Sequence, residues 1–329
     1  MARGENQKLK LLYLLKILAE ETDDQHMVTM PELVKKLKKV GVHADRKTLY
    51  SDFDELERFG IDIITERQGR STYYHMGARQ FDLAELKILV DSVEAAKFIT
   101  DARTKSLIKK LGRLTSRFDA DTLKQQVDLQ GRVKTDNRVV FSNVDTLHAA
   151  IAAEKQIRFH YCNWDIKGNM VPRNDGDWYN VSPWRLMINH ENYYLVGYSP
   201  ENGIRHYRVD KIKDIFVVEE PREGKDAFNN FDFAAYSKCM FGMFGGEEMR
   251  VTLECDLEMI GVIIDRFGKD VVCIPKGERS FVVSVNVIPS PQFLGWVIGL
   301  GAQVKITSPE VVLQQMREEV KRLNAQYLA

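Results

Sequence analysis

Apolar positions over the first eighty residues recur at two different periods, and the change of period divides the segment. Across residues 8–21 they fall on more than one face of a helical repeat (Leu9, Leu11, Leu12, Leu14, Leu15, Ile17), which predicts a helix buried against more than one neighbour. A second helix is predicted to start at Thr29, where Glu32 completes a capping box and Pro31 sits in the first turn. Leu33, Leu37 and Val40 then recur at helical spacing. Gly41 breaks that helix. Asp45 is a suitable N-cap for a third, whose inward stripe is Leu49, Phe53 and Leu56 and which Gly60 ends. Beyond it the period drops to two, and residues 61–66 and 71–75 read as strands joined by a turn at Gln68-Gly69.

Two more helices are expected from residue 82 to about 118, striped by Leu83, Leu86, Val90 and Val93 and then by Leu107, Ile108, Leu111 and Leu114. From Asn137 the grammar changes. A short helix at 144–154 leads into strands at 157–163, 178–189, 193–199, 204–209 and 214–219, with Asn202-Gly203 as a hairpin turn. Residues 229–246 hold aromatics and glycines without a period and read as a linker. The remainder is mixed: strands at 249–255, 281–288 and 302–306, helices at 258–267, 291–300 and 310–326. The fold class is α+β, in five stretches: a three-helix-and-hairpin domain at 1–80, a helical linker at 81–136, a β-rich domain at 137–222, a connection at 223–246 and a small α/β domain at 247–329.

Composition narrows the chemistry. Apolar residues make up 44% and charged residues 29% of 329, an ordinary globular balance. The net charge of +0 means that any affinity for a polyanion must come from local clusters of Lys and Arg. Cys162, Cys239, Cys255 and Cys273 are far apart and form no metal pattern, so no zinc is expected and free thiols in a reducing cytosol fit best. The longest apolar run, 11–19, is interrupted by Lys16 and is too short to span a membrane; a cytoplasmic protein with no membrane partner is expected. Seven scattered histidines match no HExxH, GxSxG or P-loop pattern, and Gly242 to Gly246 lacks the Lys and Ser/Thr of a phosphate loop. Neither catalysis nor a cofactor is expected.

On the third helix a rotation of about 100° per residue puts Arg46, Lys47, Tyr50, Ser51 and Asp54 opposite the apolar stripe. Arg and Lys pair with guanine edges or phosphates, and Ser, Thr and Tyr hydroxyls add shorter contacts. The candidate DNA-contacting residues are therefore Arg46, Lys47, Thr48, Tyr50 and Ser51, with Arg67 and Arg70 at the hairpin tip and the run Lys35, Lys36, Lys38, Lys39 beside the backbone. A solvated charged face is the bland alternative. The order of stripe, tight turn, basic face and hairpin favours duplex reading. The segment 9–76 resembles the winged helix-turn-helix of DeoR-like regulators, carried by Asp45-Arg46-Lys47-Thr48-Leu49-Tyr50-Ser51-Asp52-Phe53 through Leu56.

The β-rich block places His160, Tyr161, Ser182, Trp184, Tyr194, Arg205, His206 and Arg208 on or beside strands. Alternation sets His206 and Arg208 on one face and Arg205, Tyr207 and Val209 on the other, a face that reads as core apart from Arg205 near the strand's start. Cations beside aromatic rings hold phosphates while stacking bases; equally, the aromatics are core and the arginines surface ion pairs. The block resembles a WYL domain, a small Sm/SH3-like β-barrel, through Pro183-Trp184-Arg185-Leu186, Tyr193-Tyr194-Leu195-Val196-Gly197-Tyr198 and Arg205-His206-Tyr207-Arg208-Val209-Asp210-Lys211-Ile212. It departs from the family pattern at Tyr193 (Trp), Tyr207 (Phe), Val209 (Leu) and Lys211 (Arg), and Lys in place of Arg loses a bidentate phosphate fork. The resemblance implies a sensor for a nucleotide or single-stranded nucleic-acid effector, with Arg205, Arg208, Tyr194, Ser182, Trp184, His206 and Tyr161 as the effector-binding residues.

The tail resembles the C-terminal extension that follows WYL domains, through Arg250-Val251-Thr252-Leu253, the stretch from Leu294 to Gly301, and Val304 to Glu310. The whole order implies a ligand-responsive transcription regulator acting on a double-stranded DNA operator. A homodimer is expected, because one recognition helix reads too few bases. The rival is an RNA- or single-strand-binding accessory protein of a nucleic-acid defence or repair system. Arg208→Ala is expected to abolish the effector response and leave folding intact.

Overall fold

The computed structural model describes residues 6–125, 134–135, 138–189, 191–229, 233, 236, 239–243 and 246–328. Part of the expected helical linker (126–133, 136–137) and part of the 223–246 connection lie outside the described residues. The chain divides into two compact units, Met1–Arg138 and Val139–Ala329.

In the first unit three helices, α1 (Lys10–Glu21), α2 (Met30–Lys39) and α3 (Arg46–Arg58), enclose a core in which Leu14, Leu18, Leu33, Leu37 and Leu49 are fully buried. Truncating any one of them to alanine costs about 2–5 kcal/mol by the usual measure of core leucines. The ends of α2 and the start of α3 follow from local chemistry. The Glu32 carboxylate accepts from the Thr29 N–H at 2.7 Å and from its hydroxyl at 2.8 Å. After α2, Gly41 turns left-handed (φ 75°) and the Val42 N–H donates back to the Leu37 carbonyl at 3.0 Å, which tucks the Val42 side chain into the core. Asp45 then caps α3, its Oδ1 accepting from the Thr48 N–H at 2.9 Å. Lys10 Nζ meets Asp52 Oδ2 at 2.6 Å and ties α1 to α3.

Strands β1 (Val28–Thr29), β2 (Ile63–Gln68) and β3 (Ser71–Met76) form an antiparallel sheet in the order β1-β3-β2. The hairpin was legible, whereas two-residue β1 is too short for a period. Three helices follow, where two were expected: α4 (Leu83–Ala95), α5 (Asp101–Leu111) and α6 (Arg117–Gln125). They pack into the same unit. Ser116 Oγ donates to Asp23 Oδ2 at 2.5 Å, the Phe118 ring stacks on His26 at 3.6 Å, and Arg79 donates to the carbonyls of Ala19 and Thr22.

The second unit opens with α7 (Val140–Ala152), whose buried Asn143 donates to the carbonyls of Ile212 (2.9 Å) and Val209 (3.3 Å) and so clamps the helix to a curled half-barrel sheet. Strands β4 (Lys155–Trp164), β5 (Met170–Pro172), β6 (Tyr179–Asn189), β7 (Asn192–Ser199) and β8 (Gly203–Arg208) lie in the order β5-β4-β6-β7-β8, and β9 (Ile212–Pro221) returns to pair with β4. Phe159, Tyr161, Tyr179 and Tyr207 meet edge to face or stacked inside it. At Gly197 the sheet leaves no room for a side chain: a Cβ there would lie 2.4 Å from Val181 Cγ1.

A short helix, α8 (Lys225–Phe228), precedes the segment expected to be a linker. Its described residues contradict that expectation, because Met240, Phe241 and Met243 are buried. Phe241 packs on Phe293 and Trp296, and Met240 and Met243 join Ile288, Met187 and Tyr194. These partners are distant in sequence, so the segment carries no period of its own. The last domain is a four-stranded antiparallel sheet, β10 (Met249–Asp256), β11 (Cys273–Lys276), β12 (Ser280–Val287) and β13 (Val304–Ser308), in the order β11-β12-β10-β13. It is covered by α9 (Ile260–Phe267), α10 (Pro291–Gly299) and α11 (Glu310–Tyr327). No helix among the described residues is long and apolar enough to cross a membrane.

Candidate nucleic-acid interface

Capping fixes the start of α3, and the burial of Leu49, Phe53 and Leu56 fixes its rotation. Arg46, Lys47, Tyr50 and Ser51 consequently face solvent. The three-stranded sheet is fastened to the same helix. Tyr74 of β3, 4% exposed, packs on Phe53 with ring centroids 5.1 Å apart and donates from its hydroxyl to Tyr50 Oη at 3.2 Å. Arg46 Nε and Nη2 donate to that same oxygen at 3.2 and 3.1 Å. Burial, then the bond to Tyr50, push the Tyr74 phenol up to about 12, so it stays protonated as a donor; donation by Tyr74 and then Arg46 lowers that of Tyr50. A phenolic oxygen has two lone pairs. With both engaged, the hydroxyl of Tyr50 can act outward only as a donor. Arg46 and Tyr50 thus form one donor surface, suited to guanine O6 and N7 or to phosphate oxygens.

Thr48 is exposed but plays a local part. It sits three residues beyond the cap, and its hydroxyl donates to the Asp45 carbonyl at 3.0 Å while accepting from the Asp45 N–H at 3.3 Å. Arg67 and Arg70 are exposed, Arg67 near the end of β2 and Arg70 within the two-residue hairpin loop, where Gly69 supplies the positive φ (62°) such a loop requires. Of the four lysines on α2, Lys36 pairs with Glu21; Lys35, Lys38 and Lys39 are exposed.

The residues singled out in the β-rich domain separate into two groups. Tyr194, His206 and Arg208 share one face, since Tyr194 lies directly across from Arg208 in the β7–β8 ladder, while Tyr207 and Val209 point into the core. Arg208 makes a two-pronged bond to Asp210, Nε to Oδ1 at 3.1 Å and Nη2 to Oδ2 at 2.8 Å. Arg205 is exposed at the start of the strand. Tyr161, Ser182 and Trp184 are committed to the frame instead. The Tyr161 hydroxyl accepts from the Arg208 N–H at 3.1 Å, and Ser182, 1% exposed, accepts from the Glu223 N–H at 2.9 Å. Trp184 is the extra residue of a bulge, Pro183 pairing with Gly197 and Arg185 with Val196. Its ring stacks on Phe228 at 4.4 Å beneath the Arg222 guanidinium, and its Nε1 donates to the Glu223 carbonyl at 3.0 Å.

His206 is packed beside Tyr236, and its Nε2 has no hydrogen-bond partner among the described residues. Burial pulls its pKa from the ordinary 6.5 down to about 4, against a backbone bond at Met243 that works the other way. The unfolded chain therefore binds this proton first. Stability is unaffected above pH 6.5 and falls as the pH drops from 6.5 toward 4, by about 1.4 kcal/mol per unit. Urea denaturation of wild type and His206→Gln should give an advantage of the wild type at pH 7.5 that shrinks by about 2 kcal/mol at pH 5.

With this geometry in place, family comparison is decisive for the second unit. Residues 142–217 match the WYL domain and residues 247–323 match the WCX domain. The chain thus contains a WYL domain followed by a WCX domain. Its WYL domain begins within α7 and ends within β9, and its WCX domain is the sheet-and-helix layer that begins with β10. No curated protein matches the chain. Among solved structures it is similar to proteasome accessory factor B/C (PafBC) of Arthrobacter aurescens at 19% identity, with a TM-score of 0.27, over 95% of this chain; the chain spans 46% of that chain's length. Sequence reasoning did not find Tyr74, whose signal was its inward position in the β3 alternation, or the anchoring role of Glu223, which has none.

Proposed function

We propose that this WYL-domain protein is a DNA-binding transcription regulator, acting without catalysis, whose winged helix-turn-helix reads a duplex operator and whose WYL domain answers to a nucleotide or single-stranded nucleic-acid effector. The observation that carries the DNA half is the donor surface of Arg46 and Tyr50, held by Tyr74 on an exposed helix face with Lys47 and Ser51 beside it. The effector half rests on the WYL-domain match and on the face that brings Tyr194, His206 and Arg208 together, with exposed Arg205 on the opposite face of the same strand. A homodimer supplies the second half-site, and the exposed apolar residues Leu11 and Leu12 of α1 and Ile88 of α4 are its proposed contacts.

Fluorescence anisotropy of the full chain against duplexes from around its own gene tests this, with and without short single-stranded oligonucleotides and cyclic dinucleotides. Selective, salt-sensitive duplex binding that shifts with one of these ligands is the expected result. Tight RNA or single-strand binding with no duplex preference would overturn it. Within the same assay Tyr74→Phe should weaken specific binding about 3- to 10-fold, the worth of one net hydrogen bond, and leave non-specific binding unchanged.

A further inference from the structure

The WCX domain holds an open groove of about 660 Å³ whose lining includes none of the proposed DNA- or effector-contacting residues. Val297, Val304 and Ile306 form its floor, and Leu313, Met316 and Val320 form a wall along one face of α11, at the helical spacing of an apolar stripe. The apolar character continues to the mouth, where Val320 is 53% and Ile298 41% exposed. Its charged lining is of one sign: Lys305, Arg317 and Lys321, with no carboxylate. Arg317 is engaged by Glu310 at 2.5 Å, whereas Glu254, across the ladder from Lys305, is itself held by Lys276 at 2.8 Å. Lys305, which also lies beside Glu254, and Lys321 are the groove's other two cations.

We propose that this groove binds a small amphipathic anion, a medium-chain alkyl or aryl carboxylate, with its apolar part against Val304, Leu313 and Val320 and its charge between Lys305 and Lys321. The volume lies within the range of small-molecule sites. Apolar walls select against a fully polar anion such as phosphate, and the uniform positive rim selects against a neutral or cationic amphiphile.

Isothermal titration of the full chain with decanoate, and with decyltrimethylammonium as the counterpart of opposite charge, tests the assignment. Saturable binding of decanoate at one site per chain is expected, with the cation at least about tenfold weaker. Val320→Glu should abolish binding, and Lys305→Glu with Lys321→Glu should weaken it at least about tenfold. All three positions are exposed, so thermal melts should match the parent. Absence of saturable heat, equal binding of the cation, or full binding by Val320→Glu would overturn the proposal. So would sedimentation showing that Val320→Glu turns a dimer into a monomer, which would make the groove a contact between copies of the chain.

Discussion

Arg46→Ala is expected to weaken binding of a specific duplex by about 1–3 kcal/mol, a loss of roughly ten- to a hundredfold, at unchanged fold stability. Arg46 is the first residue of α3 and is exposed; its side-chain bonds go to Tyr50, another surface residue. Removing it does two things at once. It deletes the guanidinium fork, and it releases a lone pair of the Tyr50 oxygen, which then becomes free to accept as well as donate. Selectivity at the contacted base pair should therefore relax along with affinity. Salt titration separates the two kinds of contact. If Arg46 touches a phosphate, the slope of log affinity against log salt falls by about 0.9; if it touches a base edge, the slope holds and the loss is confined to one position of the operator. Arg46→Lys should recover little in the second case, since a point charge does not replace a fork. Unchanged binding in Arg46→Ala combined with Lys47→Ala would move the reading surface elsewhere.

What the sequence disclosed and what it concealed differ by range. The caps at Thr29 and Asp45, the stripe of α3, and the hairpin were legible because each is decided within a few residues by backbone bonds and burial. The inward turn of Tyr207 and Val209 followed from alternation in the same way. The concealed features are settled by partners far along the chain. Tyr74 reaches Tyr50 across 24 residues, Trp184 and Ser182 reach Glu223 across 39 and 41, and Phe241 is buried only because Phe293 and Trp296 close over it. Short strands such as β1 and β5 exist only as edges of ladders set by longer ones. For the candidate site, the outward face of α3 could be named from periodicity; which of its hydroxyls turn inward to cap, as Thr48 does, could not.

Arg208→Ala is expected to cost about 2–3 kcal/mol of stability, contrary to the sequence-based expectation that folding would be left intact. Two bonds join its guanidinium to a carboxylate that is only 7% exposed, so the substitution withdraws a charged partner from a buried charge. The arginine side chain itself is 32% exposed, which keeps the figure below that of a fully buried pair. Asp210→Asn in the Arg208→Ala background should recover part of the loss, and a double-mutant cycle in urea should give a coupling of at least about 1 kcal/mol. This bears directly on the effector. A ligand phosphate approaching Arg208 competes with Asp210 for the same guanidinium, so binding there would loosen the turn between β8 and β9, whereas exposed Arg205 makes no ion pair among the described residues and can meet a phosphate without breaking one. Arg205→Ala should therefore impair the effector response at unchanged stability, and Arg208→Ala should impair both. If the cycle shows no coupling, Arg208 is no strut of the fold, and its loss would report on the ligand alone.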